Sequence, residues 1–286
     1  MHTHASLPSK IFDAINFTVL GLVGLAAFLP FVYVVVTSFS AQNVVWPTEF
    51  TLDTYKYIFS TATFVRSIGV SVYITLLGTV LSLLATSLMA YSLSFKYLPG
   101  RSGILLMVLF TMLFNGGLIP TYFVVKQLGM INSLWSLMVP GLISAFYLIV
   151  MRDFFASVPH ELIESAKIDG AHDIGILLRI VLPLSLPALA AFGLFYAVGI
   201  WNQYFSAIMY INTPEKWPVQ VILRQIVVLA SGGLGDSGGS SGENVAYYGQ
   251  GVKMAVIVVS TIPILLVYPF LQKHFAKGAL LGSVKG

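Results

Sequence analysis

Long apolar stretches follow one another along the chain, and the short connections between them hold nearly all the charged residues. A helix needs roughly 20 apolar residues to cross the core of a bilayer. None of the stretches contains Asp, Glu, Lys or Arg, whereas the exposed face of a soluble helix carries charges at helical spacing. The pattern therefore predicts an all-α, polytopic membrane protein with six transmembrane helices, over residues 14–38, 67–93, 103–125, 133–151, 184–209 and 254–271.

The composition agrees with a membrane protein and argues against several kinds of functional site. Of the 286 residues, 57% are hydrophobic and 9% are charged, against about 25% charged in a typical soluble domain. The absence of cysteine excludes disulfides, thiol catalysis and cysteine-ligated metals. The net charge of +4 comes without a basic cluster, which disfavours a nucleic-acid partner. The five histidines are too scattered in sequence to suggest a metal site.

The distribution of basic residues predicts how the chain is oriented. Six spans place both termini on one side, and that side then holds nine of the 15 bases, which favours the cytoplasm. The expected organisation is a cytoplasmic tail (1–13), a permease domain (14–271) and a second cytoplasmic tail (272–286). Within the permease domain, loop 152–183 would face the cytoplasm and loop 210–253 the outside.

The cytoplasmic loop is unusual because charged and apolar residues alternate in it. Ser157 is predicted to cap a first helix, Gly170 to end it, and a second helix to run over about 172–182 before Pro183 and Pro187 bend the chain. An amphipathic loop of this kind either lies on lipid or docks on a protein. Acids outnumber bases here, so repulsion from anionic lipid favours a protein partner.

The spacing within this loop resembles a pattern shared by membrane subunits of ABC importers. That pattern is Glu-Ala-Ala, three residues, Gly, nine residues, and Ile-x-Leu-Pro, and Ser165 in place of the second Ala is the one departure from it. The resemblance implies that the loop couples the spans to an ATPase. The residues expected to take part are Glu164, Ser165, Ala166, Asp169, Gly170, Ile180, Leu182 and Pro183.

The resemblance extends along nearly the whole chain. The segments "WPTEFTLDTYKYIF", "FNGGLIPTY" and "WPVQVILRQIV" are similar to those of carbohydrate-uptake permeases related to the maltose system, in the branch that handles longer oligosaccharides. The family implies a type I ABC importer fold in the bacterial inner membrane. It also implies three kinds of partner: a second six-span permease, two cytoplasmic ATPase subunits that carry ATP and Mg, and an external solute-binding protein.

This chain is not expected to be an enzyme or to hold a cofactor. It has no phosphate-binding loop of the G-x-x-x-x-G-K-[ST] type, so ATP hydrolysis is assigned to the separate ATPase. The glycine-rich run 231–243 contains a G-x-G-x-x-G spacing, but no strand precedes it, and a flexible external loop is the simpler interpretation.

A path for the sugar is expected where polar and aromatic residues interrupt the spans. Amides and aromatic faces suit sugar rings, but amides also join helices, and Trp and Tyr also mark membrane interfaces, so both readings stay open. Neutral sugars and uronates likewise both stay open. The candidate path residues are Asn115, Gly117, Tyr147, Trp201, Asn202 and Tyr204.

Two other classes of membrane protein compete with this interpretation. A secondary transporter usually carries an ionisable residue within a span, and no predicted span has one. A channel or scaffold is not excluded by composition, but it does not account for the spacing from Glu164 to Pro183.

Overall fold

The computed structural model describes residues 7–40, 50–230 and 250–267. The chain forms two compact units, one of residues 1–62 and 223–261 and the other of residues 63–222 and 262–286. The predicted glycine-rich loop 231–243 and the predicted tail 272–286 lie outside the described residues. Residues 7–13, predicted as part of a tail, already belong to the first helix.

All regular elements in the described ranges are helices, as the hydropathy pattern predicts. The described helices are, in chain order, α1 (Leu7–Ser38), α2 (Asp53–Ser60), α3 (Ala62–Ser94), α4 (Arg101–Leu113), α5 (Leu118–Gln127), α6 (Ala145–Ala156), α7 (His160–Ile168), α8 (Asp173–Leu184), α9 (Leu186–Trp201), α10 (Phe205–Tyr210), α11 (Val219–Ala230) and α12 (Gln250–Val267), with 3₁₀ turns at Leu134–Leu137 and Pro214–Lys216. Three of these helices, α1, α3 and α12, are by length and composition able to cross a membrane, and α8 with α9 makes a fourth if that bent pair is one span.

The third and fourth predicted spans are not continuous helices. The third breaks between α4 and α5, where Gly117 has a φ of 85° that only glycine adopts without strain. The first half of the fourth is a 3₁₀ turn and a loop, and a regular α-helix begins only at α6. Pro140 and Gly141 lie in that loop, and both disfavour a helix interior. Hydropathy identified the apolar stretches, but it did not show that the backbone breaks interrupt two of them.

Helix α3 organises the second unit through one face of small side chains. Its buried positions include Ser71, Gly78, Ser82 and Ala90, which recur at helical spacing. Small residues let neighbouring helices approach closely, and a Cβ added at Gly78 would meet side chains of two other segments within 3.2 Å. The close packing of the unit therefore depends on this face.

Two apolar clusters lie along α3. Their nearest fully buried members on this helix, Ile74 and Ala90, are about 24 Å apart at 1.5 Å of rise per residue. The first cluster contains the end of α3 from Ala90 and residues of α4, α6, α7, α8 and α9. The second contains Ile74 of α3 and residues of α5, α9, α10 and the first 3₁₀ turn. The same rigid helix thus contributes to both cores.

The first unit is held together by polar contacts at the end of α1. The hydroxyls of Ser38 and Tyr55 are 2.6 Å apart, and Thr54 donates to the carbonyl oxygen of Ser40 over 3.3 Å. Helix α12 approaches the same end, because a Cβ added at Gly251 would overlap that carbonyl oxygen. Glycine is therefore required where α12 meets α1.

In the second unit, Asn132 joins the turn after α5 to the segment after α10. Its φ is 59°, unusual for a residue other than glycine. The backbone N–H of Asn132 donates to the Tyr210 carbonyl oxygen (2.7 Å), and its side-chain oxygen accepts from the N–H groups of Asn212 and Thr213 (3.2 and 3.1 Å). Lys216 Nζ donates to the Asn132 carbonyl oxygen over 2.6 Å. These bonds account for the left-handed conformation.

Replacing Gly251 by Ala should destabilise the first unit. The added methyl must displace a backbone carbonyl, and overpacking of this kind costs about 1–3 kcal/mol. The measurement is the thermal unfolding midpoint of the purified protein in detergent. Gly24→Ala in α1 is the control, because nothing lies within 4 Å of its Cβ position. Equal midpoints for the two variants would show that the contact at Gly251 is loose.

Replacing Asn132 should lower stability in a defined order. Asn132→Gly keeps the left-handed backbone but loses the side-chain hydrogen bonds, each worth about 0.5–1.5 kcal/mol. Asn132→Ala loses the same bonds and adds backbone strain of about 1–2 kcal/mol. Unfolding midpoints should therefore fall from wild type to Gly to Ala. An Ala variant as stable as the Gly variant would contradict this account of Asn132.

Candidate functional site

The charged loop forms two short helices that meet at a glycine corner. Helix α7 ends at Ile168, Asp169 caps it, and Gly170 follows with a φ of 83°. The N–H of Gly170 donates to the Lys167 carbonyl oxygen (3.0 Å) and that of Ala171 to the Ala166 carbonyl oxygen (2.9 Å). These bonds close the end of α7 in the manner of glycine-terminated helices. The predicted corner at Gly170 is confirmed.

The predicted capping role of Ser157 is wrong. Ser157 ends α6, where its hydroxyl donates to the Phe154 carbonyl oxygen over 2.7 Å. Helix α7 starts after Pro159 without a side-chain cap. The serine lies too early in the chain because Val158 and Pro159 form the turn between the two helices.

Helix α8 changes its winding before it meets α9. Residues Leu177–Val181 are π-helical, and the chain then bends by 86° between α8 and α9. Pro183 lies close to this bend and cannot donate the backbone hydrogen bond that would continue a regular helix. The second helix is thus longer than the predicted 172–182, and the bend occurs where Pro183 and Pro187 predict it.

The inward face of the loop is packed into the first apolar cluster. Ile163 of α7 and Ile176 and Val181 of α8 are buried there, beside residues from α3, α4, α6 and α9. Ala166, Ile180 and Leu182 are half-buried against the same cluster. Close packing transmits displacement because protein interiors are dense and only slightly compressible. The loop is therefore held firmly to four helices.

The outward face of the loop combines acids with bare apolar side chains. Ile168 and Ile174 are 85% and 63% exposed, and Leu162 and Leu178 are also exposed. Glu164 and the other acids of the loop are exposed on the same short helices; this set comprises Glu161, Glu164, Asp169 and Asp173. Several large apolar side chains exposed beside charges favour a protein docking surface. Ser165 and Pro183 are likewise exposed.

One lysine pairs with an acid across the corner. Lys167 Nζ is 3.1 Å from an Asp173 carboxylate oxygen. The hydrogen bond to Asp173 raises the pKa of Lys167 above its ordinary value, and a hydrogen bond with Tyr97 adds to the effect. The ammonium group also lies 5.5 Å from the centre of the Phe95 ring. Lys167 is therefore charged at physiological pH and has partners on two sides.

A second candidate site is a polar cavity of about 370 Å³ beside the break between α4 and α5. Its walls come from that break, the first 3₁₀ turn and α10, and its lining has no charged side chain. The amide nitrogen of Gln203 donates to the Leu137 carbonyl oxygen over 2.9 Å, and its amide oxygen is buried without a partner among the described residues. The polar groups that line it are Asn115, Thr121, Ser136, Gln203, Ser206 and Tyr210.

Two of the six candidate path residues, Asn115 and Gly117, line this cavity. The Asn115 side chain accepts from the Gly117 N–H over 2.9 Å, which stabilises the break. The structure therefore brings these two residues together with groups from two other segments.

The other four candidate path residues lie elsewhere. Tyr147 belongs to an aromatic cluster, with its ring 4.9 Å from that of Tyr196. Trp201 is buried and lines a separate apolar cavity of about 160 Å³. Asn202 is exposed and donates to the Val198 carbonyl oxygen of its own helix. Tyr204 packs against the second apolar cluster.

Most of the polar cavity lining was not predicted from the sequence. Gln203 lies inside the segment "WNQY", but no periodic pattern distinguishes it from its neighbours. Ser206 and Tyr210 follow in α10, a short helix that hydropathy merged with α9. The structure offers no metal site in the described ranges, where no group of three or more His, Asp or Glu residues is placed to hold an ion.

Known proteins resemble this chain over nearly its full length. It is 52% identical to the polygalacturonan/rhamnogalacturonan transport system permease protein YtcP of Bacillus subtilis (strain 168), over 98% of this chain and 100% of that protein. It is 50% identical to Protein LplC of the same organism, over 100% of this chain and 99% of that protein.

A solved structure shows the same fold. The crystal structure of a bacterial ABC transporter involved in the import of the acidic polysaccharide alginate matches with a TM-score of 0.88 and 32% identity, over 96% of this chain and 99% of that one. This match confirms the type I importer fold predicted from the sequence. Members of the family are transport subunits and not enzymes. A family model matches residues 82–280, and the chain belongs to the family of binding-protein-dependent transport system inner membrane components.

Proposed function

We propose that this chain is one of two permease subunits of an ATP-driven importer of oligosaccharides, with fragments of acidic plant polysaccharides as the first candidates. The observation that carries the proposal is the 52% identity, over 98% of the chain, to a permease named for polygalacturonan and rhamnogalacturonan. The likeness to an alginate importer supports an acidic sugar as well. Both termini would lie in the cytoplasm.

The proposed partners follow from the family and from the exposed surface of the loop. A second six-span permease would complete the path, and a solute-binding protein outside would deliver the sugar. Two cytoplasmic ATPase subunits would bind ATP and Mg, and this chain would hold no cofactor. The outward face of the loop supports an ATPase contact, because Ile168 and Ile174 are exposed beside acids and need an apolar cover in water.

The coupling step is assigned to the residues of the loop. Glu164 lies exposed on α7 and would bond or pair with the ATPase surface. Ser165 and Ala166 are small enough for close approach, Asp169 caps α7 and Gly170 sets the corner. The remaining three, Ile180, Leu182 and Pro183, would join the loop to α9 through the π-helical turn and the bend.

We propose that the polar cavity binds the hydroxyl groups of the sugar. Its lining offers amide, hydroxyl and phenol groups but no base that would pair with a carboxylate. The choice of acidic sugars would then lie with the binding protein or the second permease. Asn115, Gly117 and Gln203 would contact the sugar at this cavity, while Tyr147, Trp201, Asn202 and Tyr204 stay predictions of the path.

Uptake of labelled oligogalacturonides by cells tests the proposed coupling. A strain lacking this gene is complemented with wild type, Glu164→Ala or Gly170→Asp. Both variants should reduce uptake while the protein still reaches the membrane: the first removes a docking group, and the second strains a left-handed corner by about 1–2 kcal/mol.

Glu215→Ala is the matched control, because Glu215 is likewise an exposed glutamate but lies in the 3₁₀ turn Pro214–Lys216, outside the loop. Uptake at the wild-type level in both test variants would refute the coupling role. Failure of the wild-type gene to restore uptake would refute the proposed substrate.

Replacing Gln203 by Leu tests the cavity. The variant keeps the approximate volume and removes one buried acceptor and one donor, so the maximal uptake rate should fall about threefold to tenfold if one hydrogen bond to sugar is lost. Gln127→Leu, at the exposed end of α5, should leave the rate unchanged. An unchanged rate in the Gln203 variant would place the sugar elsewhere.

A further inference from the structure

The end of α3 and the start of α8 do not pack directly together along one edge. A cavity of about 280 Å³ lies between them, with Tyr91, Phe95 and Tyr97 on one wall and Asp173 and Ile174 on the other. The apolar packing of the first cluster is interrupted at this edge. A contact that bridges the cavity adds to that packing.

Lys167 is placed to make that bridge. Its ammonium group contacts Asp173 on one wall at 3.1 Å and faces the Phe95 ring on the other at 5.5 Å. The ammonium group can attract the face of the Phe95 ring and pair with the Asp173 carboxylate at the same time, because the two contacts do not compete.

The aromatic wall is itself fixed to the core. The Phe95 side chain is buried, and its ring meets that of Tyr91 edge-on at 4.9 Å and that of Tyr97 at 5.3 Å. Phe95 and Tyr91 both belong to the first apolar cluster. Phe95 directly follows α3, so a force on Lys167 is applied to a buried ring that packs on the end of that helix.

We propose that Lys167 is a positioning residue that braces the coupling loop against the end of α3. The loop is joined by the chain itself to α6 and α9, but it reaches α3 only through space. Together with the apolar packing of the first cluster, the brace passes displacement of the loop by the ATPase to α3, which also contributes Ile74 to the second apolar cluster. Leu137 and Tyr210 of that cluster line the polar cavity. The brace rests on the proposed function, since it needs an ATPase acting on the loop.

The brace differs from an ordinary solvated lysine in a measurable way. A lysine that serves only the fold would change the amount of assembled protein and leave each working complex as efficient as before. A brace changes how much sugar moves for each ATP hydrolysed. It also depends on the positive charge and the ring together, and not on the length of the side chain alone.

The test uses the complete transporter, with both permeases, the ATPase subunits and the binding protein, in proteoliposomes supplied with oligogalacturonides. The quantity measured is sugar transported per ATP hydrolysed. Lys167→Met keeps the length and removes the charge, and it should lower this ratio about threefold to tenfold. Lys167→Arg retains the charge and stacks on rings, so it should keep most of the wild-type ratio.

The neighbouring Lys96→Met is the matched control. Lys96 is exposed on the connection after α3 and makes no ion pair with any described residue, so its loss should leave the ratio unchanged. Phe95→Leu should lower the ratio as well. Its effect combined with Lys167→Met should be less than the product of the two, because both remove the same contact.

Two results would overturn the brace alone. One is a Lys167→Met ratio equal to wild type while Gly170→Asp is impaired; the other is an equal loss in Lys167→Met and Lys167→Arg. A wild-type ratio in Gly170→Asp as well as in Lys167→Met would overturn the proposed coupling and the brace together.

Discussion

The structure depends on how the charged loop is buried on one side. Its inward residues, among them Ile163, Ile176 and Val181, share one apolar core with four helices. Burial of such side chains contributes about 1.5–3 kcal/mol each, more than any exposed ion pair on the outer face. Because apolar burial fixes the loop, its charges and its bare isoleucines are free to face another protein. A loop that was only tethered by its two ends would bend when pushed.

The same helix, α3, then relates the loop to the polar cavity. It contributes to both apolar clusters, and its small side chains let its neighbours approach closely. The cavity lies where α4 and α5 are interrupted, so backbone and side-chain polar groups that a continuous helix would hide are turned toward an open space. Irregular backbone at membrane depth is tolerated where it lines a cavity or is buried in protein. The breaks thus place the polar cavity apart from the continuous helix α3, which contributes to both apolar clusters.

Much of the loop was predictable because its signals are local. Gly170 ends α7 with a left-handed conformation, and a glycine at that spacing is sufficient to predict the corner. Ser157 was mispredicted for the opposite reason: capping depends on where the preceding helix stops, and α6 runs on to meet it. The cavity was predicted only in part. Asn115 and Gly117 predict from the sequence that the helix breaks, but Gln203 joins them only through the packing of α10.

The sequence by itself determined the class of protein, the apolar stretches, and the charged loop with its corner, since hydropathy, charge and glycine act over a few residues. The tertiary structure alone decided which of those stretches are continuous helices, which polar side chains share a cavity, and which lysine bridges α7 to α3. These are contacts between residues far apart in the chain, such as Lys167 and Phe95, and no local pattern encodes them. The charges of the loop are visible in the sequence; only the packing shows which side of the loop is buried and which helices hold it.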